Sequence, residues 1–168
     1  LYQTLTELTG YEMILMMNSG AEAVETALKL ARKWAYQVKK VEKDKAEIIT
    51  CAGNFHGRTI TTISFSTEKL YRDDFGPYTP GFVSIPFGDA EAFARAVTPR
   101  TAAILVEPIQ GEGGVIIPPK GYLKQVEEIC RKNNILLIAD EIQTGLGRTG
   151  RLFASEHENV RPDITVIG

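Results

Sequence analysis

Residues 101–106 read Thr-Ala-Ala-Ile-Leu-Val and residues 135–139 read Ile-Leu-Leu-Ile-Ala, runs in which apolar side chains do not alternate with polar ones. Strands of this kind must be covered on both faces, which selects against a half-solvated antiparallel sheet. Shorter strands are expected at 46–51, 82–86 and 164–167, with a first one at 12–17. Between them the apolar period changes from that of a strand to that of a helix. Val24, Ala27, Leu28, Ala31, Trp34, Ala35 and Val38 recur at three- and four-residue steps, predicting a helix that starts at the Asn18-Ser19-Gly20 turn and runs to about residue 39. Further helices are expected at 90–97 and 122–133. Strands alternating with amphipathic helices imply an α/β fold: a mainly parallel sheet with helices on both faces and right-handed crossovers.

The 168 residues suit one ordinary domain, and 43% hydrophobic with 24% charged residues describes a globular chain with a sizeable core. Nineteen Lys and Arg against 21 Asp and Glu leave a net charge of −2, which gives no electrostatic footprint for nucleic acid. Small-molecule chemistry is the better expectation. Cys51 and Cys130 lack the spacing of a metal site or a disulfide framework, so no metal is expected. No apolar run reaches the about 18 residues of a membrane span. The first residues, Leu1-Tyr2-Gln3-Thr4, include no initiator methionine, so the chain is expected to be the interior of a longer protein. The long stretch 71–81, with Gly76, Pro77 and Pro80, reads as an irregular loop of the kind that often carries function.

In open α/β sheets ligands collect outside the carboxyl ends of the strands, so the residues that follow each strand are the candidates for chemistry. After 12–17, Ser19-Gly20-Ala21 opens the long helix, whose free amides and positive dipole end can hold a phosphate. A plain N-cap explains the same residues. After 46–51, Phe55-His56-Gly57-Arg58 sets an aromatic ring and a guanidinium within four residues, able to stack a planar ligand and clamp a carboxylate. Phe55 as core and Arg58 as surface charge is the alternative, and His56 reads as a lone loop histidine. After 101–106, Glu107-Pro108-Ile109-Gln110-Gly111-Glu112-Gly113-Gly114 offers two carboxylates and three glycines for close backbone approach. After 135–139, Asp140, Glu141 and Gln143 follow a buried strand, where a carboxylate is well placed to hold a cationic ring nitrogen.

Several mechanistic classes rank low because of what these motifs lack. An Asp-Glu pair holding magnesium needs a G-x-x-x-x-G-K-[ST] loop, which is absent. Gly145-Leu146-Gly147-Arg148-Thr149-Gly150 matches G-x-G-x-x-G, but 140–144 intervene between strand and glycines, so it reads as an ordinary loop. No G-x-S-x-G nucleophile elbow occurs.

Taken together, MNSGAEAVETALKLARKWAYQVK, GNFHGRT, FGPYTPGF, VEPIQGEGG, IADEIQTGLGRTGR and VRPDITVIG resemble the class III, fold-type I pyridoxal phosphate aminotransferases, in order and through essentially the whole chain. Within that class, ARKWAYQVK and FGPYTPGF look more like the ornithine branch than the acetylornithine or 4-aminobutyrate branches. Ser19 and Gly113 stand where threonine and alanine are frequent in the family. The resemblance implies that residues 1–168 are part of the large domain that binds pyridoxal 5'-phosphate. It also implies roles. Gly20 and Ala21 would donate amides to the cofactor phosphate with Ser19 supporting the turn. Phe55 and Ile142 would cover the two faces of the ring, Asp140 would act catalytically by pairing with the ring nitrogen, and Gln143 would lie near the phenolic oxygen. Arg58 would bind a substrate carboxylate, Glu112 would hold a second arginine supplied from elsewhere, and Glu107 would support the site from behind.

The reaction implied is transfer of the δ-amino group of ornithine to 2-oxoglutarate, giving glutamate 5-semialdehyde and glutamate. The family's Schiff-base lysine follows the last strand almost immediately and is expected beyond Gly168, together with a C-terminal small domain; an N-terminal segment is expected before Leu1. None of the lysines present occupies the motif, so these 168 residues alone are expected to be inactive. A homodimer or higher assembly of dimers is implied, with no membrane or nucleic-acid partner, in the cytoplasm or the mitochondrial matrix. A non-catalytic binding module on the same sheet and, more remotely, a nucleotide-dependent oxidoreductase are the competing readings.

Overall fold

The computed structural model describes residues 1–168. Helices α1 (Tyr2–Thr9) and α2 (Gly20–Gln37) precede β1 (Glu47–Cys51), the short helices α3 (Ile60–Ser64) and α4 (Lys69–Arg72), and β2 (Phe82–Ile85). Then come α5 (Ala90–Ala96), β3 (Thr101–Val106), α6 (Tyr122–Asn133), β4 (Leu136–Asp140), a 3₁₀ turn (Ala154–Glu158) and β5 (Ile164–Val166). The five strands form one sheet in the order β2-β1-β3-β4-β5, and every pairing is parallel.

Both faces of the sheet are covered, as the apolar runs require. On one face Val24, Ala27, Leu28, Ala31 and Ala35 of α2 pack on Ile48, Ala103, Leu105, Ile138 and Val166. Three of those five helix residues are alanines, which bring the helix backbone close to the strands. On the other face Phe93 of α5 and Tyr122, Val126 and Cys130 of α6 pack on Ile49, Ile104, Val106 and Leu137. From Ala103 to Val106 alternate residues of β3 therefore serve opposite cores, and all six residues of the strand are buried. Each fully buried aliphatic side chain contributes about 1.5–3 kcal/mol, so these two layers hold the sheet. Burial pushes the Cys51 and Cys130 thiols up to about 12, leaving both protonated and inert.

Element boundaries follow capping chemistry. Ser19 caps α2 by accepting from the Glu22 amide, Asp89 caps α5 by accepting from the Ala92 amide at 2.7 Å, and Asn134 ends α6 in the left-handed region at φ 52. Helix α2 stops at Gln37, two residues short of expectation. Lys39 has left the helix to donate its Nζ to the carbonyls of Thr101, at 2.7 Å, and Asn133.

One expected strand does not form. Residues 12–17 are irregular, with Met13 86% and Leu15 69% exposed. An apolar extended run becomes a strand only with a ladder partner, and the edges of this sheet are β2 and β5. Three short helices, α1, α3 and α4, were not legible, because none carries a sustained apolar stripe; α4 takes up Lys69–Arg72 and shortens the expected 71–81 loop. No helix is long and apolar enough to cross a membrane.

Candidate active site

Strand β2 lies on one side of β1 and β3 on the other, so the crossovers diverge between β1 and β3 and leave a crevice at their carboxyl ends. A pocket of about 190 Å³ opens there. Its walls come from the exits of β1 (Phe55, His56, Gly57), β3 (Glu107, Ile109) and β4 (Asp140, Ile142, Gln143, Thr144), closed by Gly20 and Ala21 of α2. A larger groove of about 560 Å³ runs along the outer side of α2, but it is shallow and holds no carboxylate or imidazole. The smaller cavity has the converging polar groups expected of a binding site.

Asp140 is the charged residue at its floor. It is 5% exposed, and both oxygens are held: Oδ1 accepts from the Ile142 amide at 3.1 Å and Oδ2 lies 2.7 Å from His56 Nδ1. Two fixed contacts leave the remaining lone pairs of the carboxylate to a ligand in the pocket. Glu107 sits beside this pair and accepts from the Phe55 amide at 3.2 Å, which ties the β3 exit to the β1 exit. Burial pushes its carboxyl up to about 7, against the opposing pull of His56 and the Phe55 amide, with Asp140 adding to the rise.

The N-terminus of α2 completes the cavity. Ser19 Oγ takes the Glu22 amide and Ser19 O takes the Ala23 amide, so the amides of Gly20 and Ala21 have no partner within the helix. Close approach here depends on missing side chains. A Cβ on Gly20 would meet Ile142 Cδ1 at 2.8 Å, and one on Gly57, which sits at φ 110, would meet Ala21 Cβ at 2.9 Å. A cradle of backbone donors with no side chain in the way suits an anionic group such as a phosphate.

Around the mouth, Phe55 meets Tyr71 edge-on at 5.6 Å between centroids, and the Arg58 guanidinium lies over both rings, 5.8 Å from Phe55 and 5.1 Å from Tyr71. Gln143 Nε2 donates to Glu112 Oε1 at 3.1 Å, joining the β4 exit to the glycine-rich β3 exit. Glu141, next to Asp140, turns the other way. It is 1% exposed and accepts from the Thr144 hydroxyl and from the amides of Ala154 and Ser155, which folds the 145–150 glycine loop back on itself.

The pocket thus gathers Gly20, Ala21, Phe55, Asp140, Ile142 and Gln143, with Ser19 one residue behind as the cap. Arg58 and Glu112 stand outside the lining, at the rim, joined to it through Phe55 and Gln143. His56 is the residue that sequence reasoning missed. Read as a lone loop histidine, it is 3% exposed and bonded to a carboxylate 84 positions away. Its place beside Phe55 at a strand exit was the available signal, but its partner was not.

The fold and the pocket define a cofactor-scale site at the switch point of a parallel sheet. The chain belongs to the class-III aminotransferase family, whose model matches residues 1–168. It is 62% identical over 167 residues to an ornithine aminotransferase of Brevibacillus brevis, covering 99% of this chain and 42% of that protein. Among solved structures it superposes with a TM-score of 0.99 and 54% identity on the ornithine aminotransferase of Toxoplasma gondii, which has partial occupancy of PLP at its active site; 99% of this chain and 39% of that one are covered. An acetylornithine aminotransferase of Elizabethkingia anophelis gives a TM-score of 0.83 at 46% identity, over 99% and 38% of the two chains. The chain therefore spans about two-fifths of the length of the relatives it matches.

Proposed function

We propose that these residues are part of the cofactor-binding large domain of an ornithine δ-aminotransferase, which transfers the δ-amino group of ornithine to 2-oxoglutarate and releases glutamate 5-semialdehyde and glutamate. The observation that carries the reading is Asp140: a buried carboxylate, fixed by two donors, at the floor of a pocket walled by Phe55 and Ile142 and closed by the start of α2. Pyridoxal 5'-phosphate, when bound, supplies the electron sink that makes amino transfer feasible.

Each residue then has a physical task. The amides of Gly20 and Ala21 hold the phosphate at the positive end of α2, and Ser19 keeps that turn in place. Phe55 and Ile142 clamp the ring between an aromatic and an aliphatic face, excluding water. Asp140 acts catalytically by holding a proton on the ring nitrogen, where a carboxylate in a low-dielectric pocket is most effective. Gln143 orients an oxygen of the ring through its side-chain amide. Arg58 binds a substrate carboxylate, and Glu112 receives an arginine from another part of the complete protein. We place the Schiff-base lysine and the small domain after Gly168 in that protein, and an N-terminal segment before Leu1. A homodimer of the complete protein belongs to the same proposal.

The experiment is an amino-donor comparison with the complete protein, loaded with pyridoxal phosphate, with 2-oxoglutarate as acceptor. Ornithine should exceed N-acetylornithine and 4-aminobutyrate in kcat/KM by tenfold or more, by the usual leverage of a buried polar group that a substrate must satisfy. Preference for N-acetylornithine would replace the ornithine assignment by its closest rival. Absence of any transamination despite cofactor binding would favour a binding module.

A further inference from the structure

Helix α4 brings a second aromatic ring, Tyr71, to the mouth of the pocket, and the chain on either side holds it there. Before it, the Thr67 hydroxyl accepts from the Gly53 amide at 2.8 Å, and Glu68 caps α4 by accepting from the Leu70 amide at 3.2 Å. After it, the Tyr78 hydroxyl donates to the Arg72 carbonyl, and the Thr79 amide donates to Ser64 Oγ at 2.8 Å. Tyr71 is thus half-buried on a fixed turn, its ring meeting Phe55 edge-on. Arg58 is exposed and takes part in none of the ion pairs of this chain. Its guanidinium lies closer to the Tyr71 ring, at 5.1 Å, than to the Phe55 ring, at 5.8 Å. A carboxylate partner would hold this side chain but would also occupy its N–H donors. A ring face attracts the cation and leaves the donors free.

We propose that Tyr71 is a positioning residue for Arg58: its ring holds the guanidinium at the pocket mouth, with N–H donors free for a carboxylate of the dicarboxylic amino acceptor. A long, exposed arginine loses side-chain freedom when it grips a ligand. The ring removes part of that freedom before the ligand arrives. Tyr71 therefore acts on the half-reaction that consumes 2-oxoglutarate and not on the one that consumes ornithine. This inference rests on the proposed role of Arg58 and adds the residue that makes it effective.

The test is a double-mutant cycle in the complete protein loaded with pyridoxal phosphate, reading KM for each substrate separately together with the dissociation constant of the cofactor. Tyr71→Leu keeps an apolar side chain against Phe55 but removes the ring face. It should raise KM for 2-oxoglutarate about fivefold, the usual worth of one cation–π contact, with KM for ornithine and cofactor affinity unchanged. Tyr71→Phe keeps the ring and should behave as the unmodified protein. In an Arg58→Ala background, Tyr71→Leu should add no further rise. If Arg58→Ala itself leaves KM for 2-oxoglutarate unchanged, the role of Arg58 falls. If Arg58→Ala raises it and Tyr71→Leu does not, this proposal alone falls. It falls equally if Tyr71→Leu weakens ornithine or the cofactor as much as 2-oxoglutarate, which would show a packing role through Phe55. A Tyr71→Phe variant as impaired as Tyr71→Leu would assign the effect to the hydroxyl and overturn it. So would a full further rise in the Arg58→Ala background, because Tyr71 would then act apart from Arg58.

Discussion

The two ends of the sheet handle charge in opposite ways. At the amino ends of the strands, charged groups find cations, carbonyls or water: Arg100 meets Glu47 at 2.7 Å, Arg131 reaches Asp163, and Lys39 caps the carbonyls of Thr101 and Asn133. At the carboxyl ends, Asp140 and Glu107 are buried, and no lysine or arginine pairs with either. Pairing at the surface costs little and stabilises little, whereas a carboxylate buried without a lysine or arginine partner is expensive and stays responsive to a ligand. The contrast even divides neighbours, since Glu141 spends its oxygens on Thr144, Ala154 and Ser155 while Asp140 keeps lone pairs for the pocket.

The contrast can be broken in steps of decreasing size. In the complete protein Asp140→Asn should lower the half-reaction with ornithine by roughly 10²–10³-fold, the range for losing a preorganised electrostatic contact, with the melting temperature nearly unchanged. Normal turnover in rapid-mixing kinetics would remove Asp140 from the chemistry. Glu141→Ala should do the reverse, costing roughly 2–4 kcal/mol in denaturant unfolding because buried amides and a hydroxyl lose their acceptor. A stability loss no larger than that of a surface substitution would mean that water replaces the carboxylate.

Glu107 gives a pH signature. Its carboxyl is raised from 4.5 to about 7 in the folded protein, so the native state binds the proton more tightly than the unfolded chain does. Its stabilising contribution is therefore complete below about pH 4.5 and is lost as the pH rises through about 7. The cofactor-free protein should lose about 2–3 kcal/mol across that window relative to Glu107→Gln, which cannot titrate. Parallel stability profiles for the two proteins would contradict the burial argument.

The smaller effects lie at the rim and the far end. Arg58→Ala should raise KM for 2-oxoglutarate about tenfold more than KM for ornithine, the loss expected of one charge-assisted contact. Equal changes for both substrates would count against its selectivity for the dicarboxylate. Arg100→Ala, which removes the exposed partner of Glu47, should cost under about 1 kcal/mol and less still at high salt.

Much of this was legible beforehand because it depends on near neighbours. The β3 run at 101–106 and the α6 period at 122–133 matched the structure residue for residue, since an unbroken apolar run and an amphipathic stripe each report their own burial. Ser19 as the cap of α2 followed from a side chain three residues from its donor. The 12–17 segment failed for the opposite reason: its apolar character was real, but no strand lies beside it.

Sequence by itself determined the layers of this protein, its switch from strand to helix period, and the glycines and acids that follow each strand, because these are set within a few bonds of one another. Which exits meet was decided only by the tertiary structure. The order β1-β3-β4 brings His56 and Asp140 together across an intervening strand, joins Gln143 to Glu112, and packs Gly57 against Ala21. Those contacts depend on strand order and on the close approach of backbones, and no local period encodes either.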